Sequence, residues 1–313
     1  VAAEASFANA GVVAPGYVTP WAAPGMPLKV LGQLFARDAA VRFVGLSALR
    51  QLPWMWHFLL ACRARTHVAN RTAMQRLAHY SRERLEQIAA RLDLDYEQRK
   101  GYMVLLRTAA DLQRARGGLQ LLTELGVPHD VLDEAGCRQF EPALSPTARV
   151  HAAIRLPNDG VGNCRQFAHL LKGEAQRLGA RFAFDTQVQS LMPGTRPALR
   201  LAGGETQAFD CIVVCAGVDA NRLLEPHGLR LPLAPIHGYS ITAPLREHDG
   251  GPDMGPRSAL MDETYKVAIT RLGQRVRPGR YTMRDRDYRL QASYPLMSTA
   301  AAGDAEISRL RSR

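Results

Sequence analysis

The sequence of 313 residues lacks most of the patterns by which an enzyme class is recognised directly. It has no P-loop and no GxGxxG motif after an apolar strand, so it contains no complete glycine-rich phosphate loop. It has no Ser-His-Asp spacing and no paired carboxylates, which argues against a hydrolytic triad or acid–base pair. His and Cys do not cluster at ligand spacing, so no metal site is expected. No apolar run approaches the ~20 residues of a membrane-spanning helix.

Cysteine is scarce, with five residues, and these form no CxxC pair. An odd number of isolated cysteines is typical of reduced thiols, which predicts a cytoplasmic protein. Cys211 and Cys215 lie in an apolar run, where buried thiols are expected.

Acidic residues are fewer than basic ones, 29 against 40, which gives a formal net charge of +11. Residues 271–313 contain ten Arg, no Lys and four acids, and therefore carry +6 of this charge. The sequence shows no nucleic-acid module and no basic helix with interleaved aromatics. We therefore expect no nucleic-acid partner.

The densest apolar run, residues 54–62, contains two Trp and is followed by Arg63 and Arg65. A short apolar run of this kind favours a helix buried in a core or an interface. Trp together with basic residues also suits a lipid headgroup region. Peripheral association with the cytoplasmic face of the inner membrane is therefore the alternative.

The pattern of apolar residues predicts a mixed α/β organisation. Residues 30–130 are predicted to be mainly helical, with a helical period over 73–92. A strand is predicted at 101–106, and a helix at 109–125 that ends at Gly126. Further strands are predicted at 151–156, 181–184, 188–191, 199–202, 206–209, 231–242 and 259–270, and a helix at 164–178. Residues 157–160 are predicted to form a turn, and Gly203 and Gly204 a hairpin between the strands 199–202 and 206–209. The continuous apolar run 211–215 predicts a strand buried in a parallel sheet.

Six short motifs carry a family resemblance. They are SFANAG (6–11), PGY (15–17), PWAAPG (20–25), LPND (156–159), PIHGYS (235–240) and MDETYKVAITR (261–271). Together they resemble the small-subunit type of FAD-dependent D-amino acid dehydrogenase, in the wider D-amino acid oxidase-like group, over roughly residues 2–279.

The resemblance implies two discontinuous domains. The first is a Rossmann-like FAD-binding domain that lacks its first βαβ unit, formed by residues 1–30 and 145–230. The second is a substrate domain with an antiparallel sheet and a helical insert, formed by residues 31–144 and 231–279. The overall class is then α/β, or α+β when both domains are counted.

The resemblance also implies a set of cofactor-binding residues. They are Ser6, Asn9, Ala10, Gly11, Val188, Ala216 and Gly217. The first four match a loop under the pyrophosphate and flavin, where small residues allow close backbone approach. Val188 matches a position whose backbone meets the adenine, and the last two match a strand end beside the cofactor. Without the resemblance, the same residues would form a surface turn, a core valine and a tight turn.

Four residues are implied to face the substrate from the antiparallel sheet: Tyr239, Tyr265, Lys266 and Arg271. A Tyr hydroxyl can donate to a carboxylate, and the two cations can balance an anionic substrate or the reduced flavin. The alternatives are a satisfied core tyrosine and cations on an exposed strand face. Tyr17 and Trp21 either line the pocket entrance or fix their loop to the core.

The implied reaction is oxidation of a D-amino acid by hydride transfer to FAD, with hydrolysis to a 2-oxo acid and ammonia. Its implied electron acceptor is a quinone or another acceptor. The alternatives are a glycine or sarcosine oxidase-like enzyme and a non-catalytic remnant. In the family, a glycine fingerprint would precede Val1 and further loops would follow residue 279, so we expect a chain truncated at both ends. Residues 280–313 are expected to be a disordered or out-of-frame basic tail.

Overall fold

The computed structural model describes residues 1–3, 6–28, 52–233, 238–245 and 255–281. The chain divides into two compact units. The larger comprises Val1–Arg42, Cys62–Lys172 and His237–Arg313, and the smaller comprises Phe43–Ala61 and Gly173–Ile236. Most of residues 280–313 lie outside the described residues, as does His237.

Strands and helices are both present, which confirms the mixed α/β class. The strands are β1 (Val12–Val13), β2 (Arg99–Leu106), β3 (Asp130–Asp133), β4 (Ala152–Val161), β5 (Val188–Met192), β6 (Ala198–Leu201), β7 (Thr206–Ala208), β8 (Gly238–Ser240), β9 (Ala243–Pro244), β10 (Ala259–Asp262), β11 (Val267–Leu272) and β12 (Arg275–Tyr281). The helices are α1 (Leu52–Ala61), α2 (Ala64–Arg91), α3 (Ala109–Glu124), α4 (Glu134–Phe140), α5 (Cys164–Arg177) and α6 (Ala220–Leu224). Gly217–Asp219 and Glu225–His227 form short 3-10 helices.

The larger unit is built on one mixed sheet with the strand order β1-β4-β2-β10-β11-β12-β8. β3 lies beside β4, and β9 lies beside β12. β2 and β10 are parallel, and the other neighbours are antiparallel. The predicted strand at 259–270 is instead an antiparallel hairpin, in which residues 263–266 form the turn between β10 and β11. The predicted strand 231–242 is shorter, because residues 231–233 are not strand and residues 234–237 lie outside the described residues.

Both faces of this sheet are covered, so β2 is buried along its whole apolar length. Met103 and Leu105 face one core cluster, and Tyr102, Val104 and Leu106 face the other. A strand with apolar residues on both faces has no alternating pattern, which explains why it is continuous in the sequence. The predicted strand at 101–106 is confirmed.

Helix α3 covers the second of these clusters and follows its predicted limits closely. It begins with a capping box, in which the Thr108 side chain accepts from the Asp111 backbone and the Asp111 carboxylate accepts from the Thr108 backbone. It ends just before Gly126, whose φ of +64° lies in the left-handed region. The predicted helix at 109–125 is therefore confirmed.

Helix α2 confirms the helical period predicted over 73–92. Two of its side chains contact backbone carbonyls of the N-terminal segment, at residues 18 and 22. Of its residues, Gln75 is buried. The Gln75 amide donates to the Val18 carbonyl at 2.9 Å, and His67 Nδ1 lies 2.8 Å from the Ala22 carbonyl. Among the described residues, no helix is long and apolar enough to cross a bilayer.

Residues 145–172 were predicted to belong to the FAD-binding domain together with residues 173–230. In the structure they lie in the larger unit, because β4 pairs with β1, β2 and β3 in one sheet. The predicted turn at 157–160 is wrong for the same reason: these residues continue β4 as far as Val161.

The smaller unit contains an antiparallel sheet in the order β5-β6-β7. The predicted hairpin across Gly203 and Gly204 is confirmed, with Leu199 opposite Gln207. Helix α5 includes residues of both units and confirms the predicted helix at 164–178.

Two predicted strands of the smaller unit are wrong. Residues 181–184 and 211–215 have no strand structure. A strand needs a neighbour to take up its backbone groups, and in the described part of the chain no strand pairs with either segment. Cys211 and Cys215 are consequently exposed rather than buried, and Val213 is 82% exposed.

Candidate functional site

The N-terminal loop, residues 6–11, is tied to the sheet through its carbonyl groups. Ser240 Oγ donates to the Ala8 carbonyl at 2.7 Å. Arg277 Nη1 donates to the Asn9 carbonyl at 3.0 Å and to the Phe7 carbonyl at 3.5 Å. Three successive carbonyls are therefore occupied by side chains from β8 and β12.

The backbone N–H groups of the same loop differ in their partners. Gly11 N–H donates to Asn9 Oδ1 at 3.0 Å. Residues 6–7 form a turn, which the N–H of residue 8 closes. For the N–H groups of residues 9 and 10, no acceptor is found among the residues that the structure describes. Neighbouring N–H groups of this kind can form part of a concave site for an anion such as a phosphate.

Gly11 closes this loop against the end of β4. Its φ is +69°, and a Cβ there would lie 2.4 Å from the Gly162 carbonyl oxygen. Gly162 N–H donates to the Gly11 carbonyl at 2.8 Å. Glycine is required here because two backbones meet, and this contact sets where the loop runs.

Arg277, which holds the loop, is itself surrounded by polar groups. Its Nε donates to Thr242 Oγ1 at 2.9 Å. Burial lowers the pKa of Arg277, the neighbouring Arg275 lowers it further, and Glu97 opposes the shift. Arg275 Nη2 donates to the two Glu97 carboxylate oxygens at 2.6 and 2.8 Å. Because Glu97 is paired with Arg275, the Arg277 guanidinium bonds to the loop carbonyls instead.

A second cluster of polar side chains connects Tyr17, which follows the N-terminal loop in the chain, to the turn between β10 and β11. Tyr17 Oη donates to Glu263 Oε2 at 2.6 Å, and Lys266 pairs with the other oxygen of the same carboxylate. Burial raises the pKa of Tyr17, and the charge of Glu263 adds to the shift. Tyr17 therefore stays protonated and acts as a donor. Its ring packs on Tyr102 with centroids 5.4 Å apart.

Asp262 determines the shape of that turn. Its carboxylate is buried and accepts from the backbone of Thr264 at 3.1 Å and of Tyr265 at 3.2 Å. Arg107 pairs with the same carboxylate, with Nε at 3.0 Å and Nη2 at 2.5 Å. The Arg107 guanidinium also lies over the Tyr265 ring, 5.4 Å from its centroid. Lys266 adopts a φ of +53° in this turn.

A family model described as FAD-dependent oxidoreductase (DAO) matches residues 1–305 of the sequence. The chain belongs to this family. FAD is accordingly its cofactor.

Solved structures share the fold. The chain is similar to glycine oxidase from Geobacillus kaustophilus, with 21% identity and a TM-score of 0.60 over 73% of this chain and 62% of that one. It is also similar to iminodiacetate oxidase from Chelativorans sp. BNC1, with 20% identity and a TM-score of 0.59 over 95% and 68%. Glycine oxidase from Bacillus cereus matches at 18% identity and a TM-score of 0.59, over 71% and 60%. The chain spans about three fifths of the glycine oxidases that it matches.

The N-terminal loop is compatible with the phosphates of the family's cofactor. The N–H groups of residues 9 and 10, which have no acceptor among the described residues, suit the charge of a pyrophosphate, and Arg277 and Ser240 bond to the loop carbonyls instead. Ser6, Asn9 and Ala10 are half-buried in this loop. Gly11 lies against the Gly162 carbonyl, and its role toward the cofactor stays a prediction.

The other cofactor candidates lie in the smaller unit. The Val188 carbonyl, at the start of β5, lies 3.4 Å from both terminal nitrogens of Arg222. The Ala216 carbonyl accepts from Asp219 N–H at 3.0 Å. Gly217 has a φ of +53°, and a Cβ there would meet nothing within 4 Å. The turn after residue 215 thus has open space around its glycine.

The four substrate candidates are distributed over the sheet of the larger unit. Tyr265 and Lys266 are adjacent in the β10–β11 turn, whose Glu263 accepts from Tyr17. Arg271 lies near the other end of β11, about 17 Å along the strand at ~3.4 Å per residue. It is 6% exposed and donates to the Gly273 carbonyl and to Gln274, each at 3.1 Å. The backbone of Tyr239 pairs with Arg280 in β12, and its side chain lies outside the described part.

Asp159 is part of the motif LPND, but the sequence did not reveal its role. It is 2% exposed, and its two carboxylate oxygens lie 3.2 and 3.0 Å from Gly16 N–H. Burial raises its pKa to about 6, against the opposing effects of the Gly16 N–H, the charge of Arg82 and the Tyr17 N–H. Asp159 therefore holds the turn from which Tyr17 reaches Glu263.

Glu263 and Arg277 were also missed. Glu263 is part of the motif MDETYKVAITR, but the sequence does not tell which of its polar residues meet the N-terminal loop. Arg275 and Arg277 alternate along β12, which is a signal that both side chains share one face of a strand. Among the described residues, no group of three or more His, Cys, Asp or Glu suits a metal ion.

Proposed function

We propose that the chain takes part in the FAD-dependent oxidative deamination of D-amino acids to 2-oxo acids and ammonia. One observation carries the proposal: Arg277 and Ser240 bond to carbonyls of the N-terminal loop, while the N–H groups of residues 9 and 10 have no acceptor among the described residues. In this arrangement these N–H groups would hold the cofactor's phosphates, and Arg277 would keep the loop from turning its carbonyls toward them.

When bound, FAD would supply the acceptor for a hydride from the substrate Cα; the substrate nitrogen would lose a proton, and water would hydrolyse the imino acid to the 2-oxo acid and ammonia. The chain's own residues provide binding and orientation. Lys266 is 54% exposed at its side chain and offers its charge to a substrate carboxylate, in competition with Glu263. Tyr17, kept protonated, holds Glu263 in place, so that Lys266 is presented from a fixed turn.

The proposed choice of a D-amino acid as substrate depends on the resemblance of the six motifs and on the positive charge of Lys266. A small amine such as glycine or sarcosine is the second candidate, because two of the solved structures that share the fold are glycine oxidases. We further propose that a quinone or another acceptor removes the electrons. A third outcome, a chain that does not turn over, is part of the test below.

The cofactor part of the proposal is tested by titrating the purified chain with FAD and following quenching of flavin fluorescence. Arg277→Gln removes the charge-assisted bond to the Asn9 carbonyl. One such bond is worth about 1.5–3 kcal/mol, so we expect FAD to bind roughly ten- to a hundredfold more weakly. Arg155→Gln is the control, because Arg155 pairs with Asp130 and contacts the Phe140 ring away from this loop.

Circular dichroism establishes that both variants are folded. Unchanged FAD affinity in Arg277→Gln, or an equal loss in Arg155→Gln, would contradict the role of the loop. A folded wild-type chain that binds no FAD would contradict catalysis by this chain and support the remnant.

The substrate part is tested by anaerobic addition of D-alanine, glycine and sarcosine to the FAD-loaded chain. Loss of the oxidised flavin spectrum with D-alanine alone supports the proposal. Loss with glycine or sarcosine but not with D-alanine supports the second candidate. Lys266→Met should raise the KM for D-alanine by more than it lowers kcat, since the lost interaction is with the carboxylate.

A further inference from the structure

A cavity of about 310 Å³ lies in the larger unit, beside helix α2 and the paired ends of β2 and β4. Arg82, Leu85 and Glu86 line it from α2, and residues 98–100 and 158–161 line it from the two strands and the residue before β2. Its volume is that of a small-molecule site. In the described part of the chain, its lining includes none of the residues assigned above to the cofactor or to the substrate. It is therefore a separate candidate site.

One part of the cavity wall is apolar and firmly held. Tyr96 is 7% exposed, and its ring meets the Phe167 ring edge-on, with centroids 5.1 Å apart. The other apolar side chains of the wall are those of Val13, Leu85 and Val161. Because this wall is already formed, the hydrocarbon part of a ligand can bind to it with little reorganisation of the protein.

The acidic groups of the cavity are already matched by one cation. Arg82 Nη1 lies 3.6 Å from the buried Asp159 carboxylate, and Arg82 Nε lies 3.9 Å from Glu86. Arg82 Nη1 also donates to the Asn158 carbonyl at 3.1 Å. Arg82 is thus occupied by the protein itself and is not the group that a ligand would meet first.

Two further cations of the cavity differ from Arg82 in this respect. Arg99 and Lys100 are exposed at the start of β2, and neither makes an ion pair or a side-chain hydrogen bond within the described ranges. Arg99 is opposite Val161 in β4, and a β-bulge follows Lys100. Bulges redirect side chains where regular pairing ends. Three cations therefore share the cavity with two acids, and two of the three have charge and donors to spare.

We propose that this cavity binds a small monocarboxylate with an apolar body, whose carboxylate lies on Arg99 and Lys100 and whose hydrocarbon part lies against Tyr96. Guanidinium and ammonium groups form short, charge-assisted bonds to a carboxylate. A doubly charged anion is disfavoured because two acids line the cavity, and a cation is disfavoured because three cations outnumber those acids. The proposal is independent of FAD binding and of the deamination reaction.

The test is isothermal titration calorimetry of the full chain with phenylacetate, phenylacetamide and 2-phenylethylammonium. These probes share an aromatic ring and differ in the charge of the head group. We expect phenylacetate to bind with a Kd of about 1 mM, at least about tenfold more tightly than the amide. The cation should give no saturable heat. The affinity for phenylacetate should fall when salt is raised from about 0.05 M to about 0.5 M.

Substitutions place the probe in the cavity. Arg99→Gln and Lys100→Gln should each weaken phenylacetate binding about five- to tenfold, with little effect on phenylacetamide. Arg155→Gln is the matched control, because Arg155 pairs with Asp130 at 2.7 Å and does not line the cavity. Lys266→Gln, in the turn assigned to the substrate, should also leave the affinity unchanged. Circular dichroism establishes that each variant is folded.

Four results would overturn the proposal. They are an absence of saturable heat with phenylacetate, equal affinity for the amide, unchanged affinity in both cavity variants, and a loss in Lys266→Gln as large as that in Arg99→Gln. The last result would assign the probe to the substrate turn instead. The FAD titration described above decides the proposed function separately, so failure of one proposal is distinguishable from failure of the other.

Discussion

Replacement of Asp159 by Asn should remove a specific pH dependence from the stability of the larger unit. The carboxylate is 2% exposed and accepts from Gly16, and its pKa is raised from 3.8 to about 6 chiefly by burial. An amide of the same shape does not titrate in this range. The difference between wild type and Asp159→Asn therefore isolates the contribution of this one group.

The sign and size of the effect follow from proton linkage. A carboxyl with a raised pKa binds its proton more tightly in the folded state than in the unfolded state. Between pH 4 and 6, stability therefore falls as pH rises. A shift from 3.8 to about 6, at 1.36 kcal/mol per pKa unit, corresponds to about 3 kcal/mol. This stabilisation is present below about pH 4 and is lost above about pH 6.

The measurement is the free energy of unfolding from urea titrations followed by circular dichroism, at several pH values between about 4 and 7. The difference, wild type minus Asp159→Asn, should decrease by about 3 kcal/mol across this range. Asp130→Asn is the control, because Asp130 forms an ion pair whose carboxylate is 52% exposed, and its difference should vary by less than about 1 kcal/mol. A flat difference curve for Asp159→Asn, or one that rises with pH, would refute the reasoning.

Three further substitutions test the packing and the polar contacts. Leu105→Ala, at a fully buried position, should lower the free energy of unfolding by about 2–5 kcal/mol in urea titrations. Thr108→Ala removes the cap bond to Asp111 and should cost about 1 kcal/mol near neutral pH. Because the Thr108 hydroxyl also donates to the Asp111 carboxylate at 2.8 Å and lowers its pKa, the cost should shrink as pH falls through that pKa in an acid titration. Tyr17→Phe removes the hydroxyl that donates to Glu263 Oε2 and should cost about 1.5–3 kcal/mol, as measured by thermal unfolding with Lys266→Met as a comparison.

Elements with strong local signals could be predicted from the sequence. Helix α3 has a capping residue at Thr108 and a left-handed glycine at 126, and both limits were predicted. The hairpin of β6 and β7 was predicted from two glycines between apolar runs. In each case the decisive interactions lie within a few residues of one another.

Residues 211–215 and 157–160 show where local patterns fail. Segment 211–215 is apolar enough for a buried strand, but in the described structure it has no neighbour to pair with. Segment 157–160 has the composition of a turn, but pairing between β4 and β2 extends the strand through it. Strand formation depends on a partner that is distant in the chain, so composition alone does not decide it.

The sequence by itself determined the α/β class, the limits of the locally signalled helices and, through six motifs, the family and its FAD cofactor. The tertiary structure decided which polar residues serve the candidate site. Arg277 meets Asn9 across 268 positions of the chain, Tyr17 meets Glu263 across 246, and Asp159 meets Gly16 across 143. Such contacts arise from sheet register and loop closure, which bring distant residues together without leaving a periodic signal in the sequence.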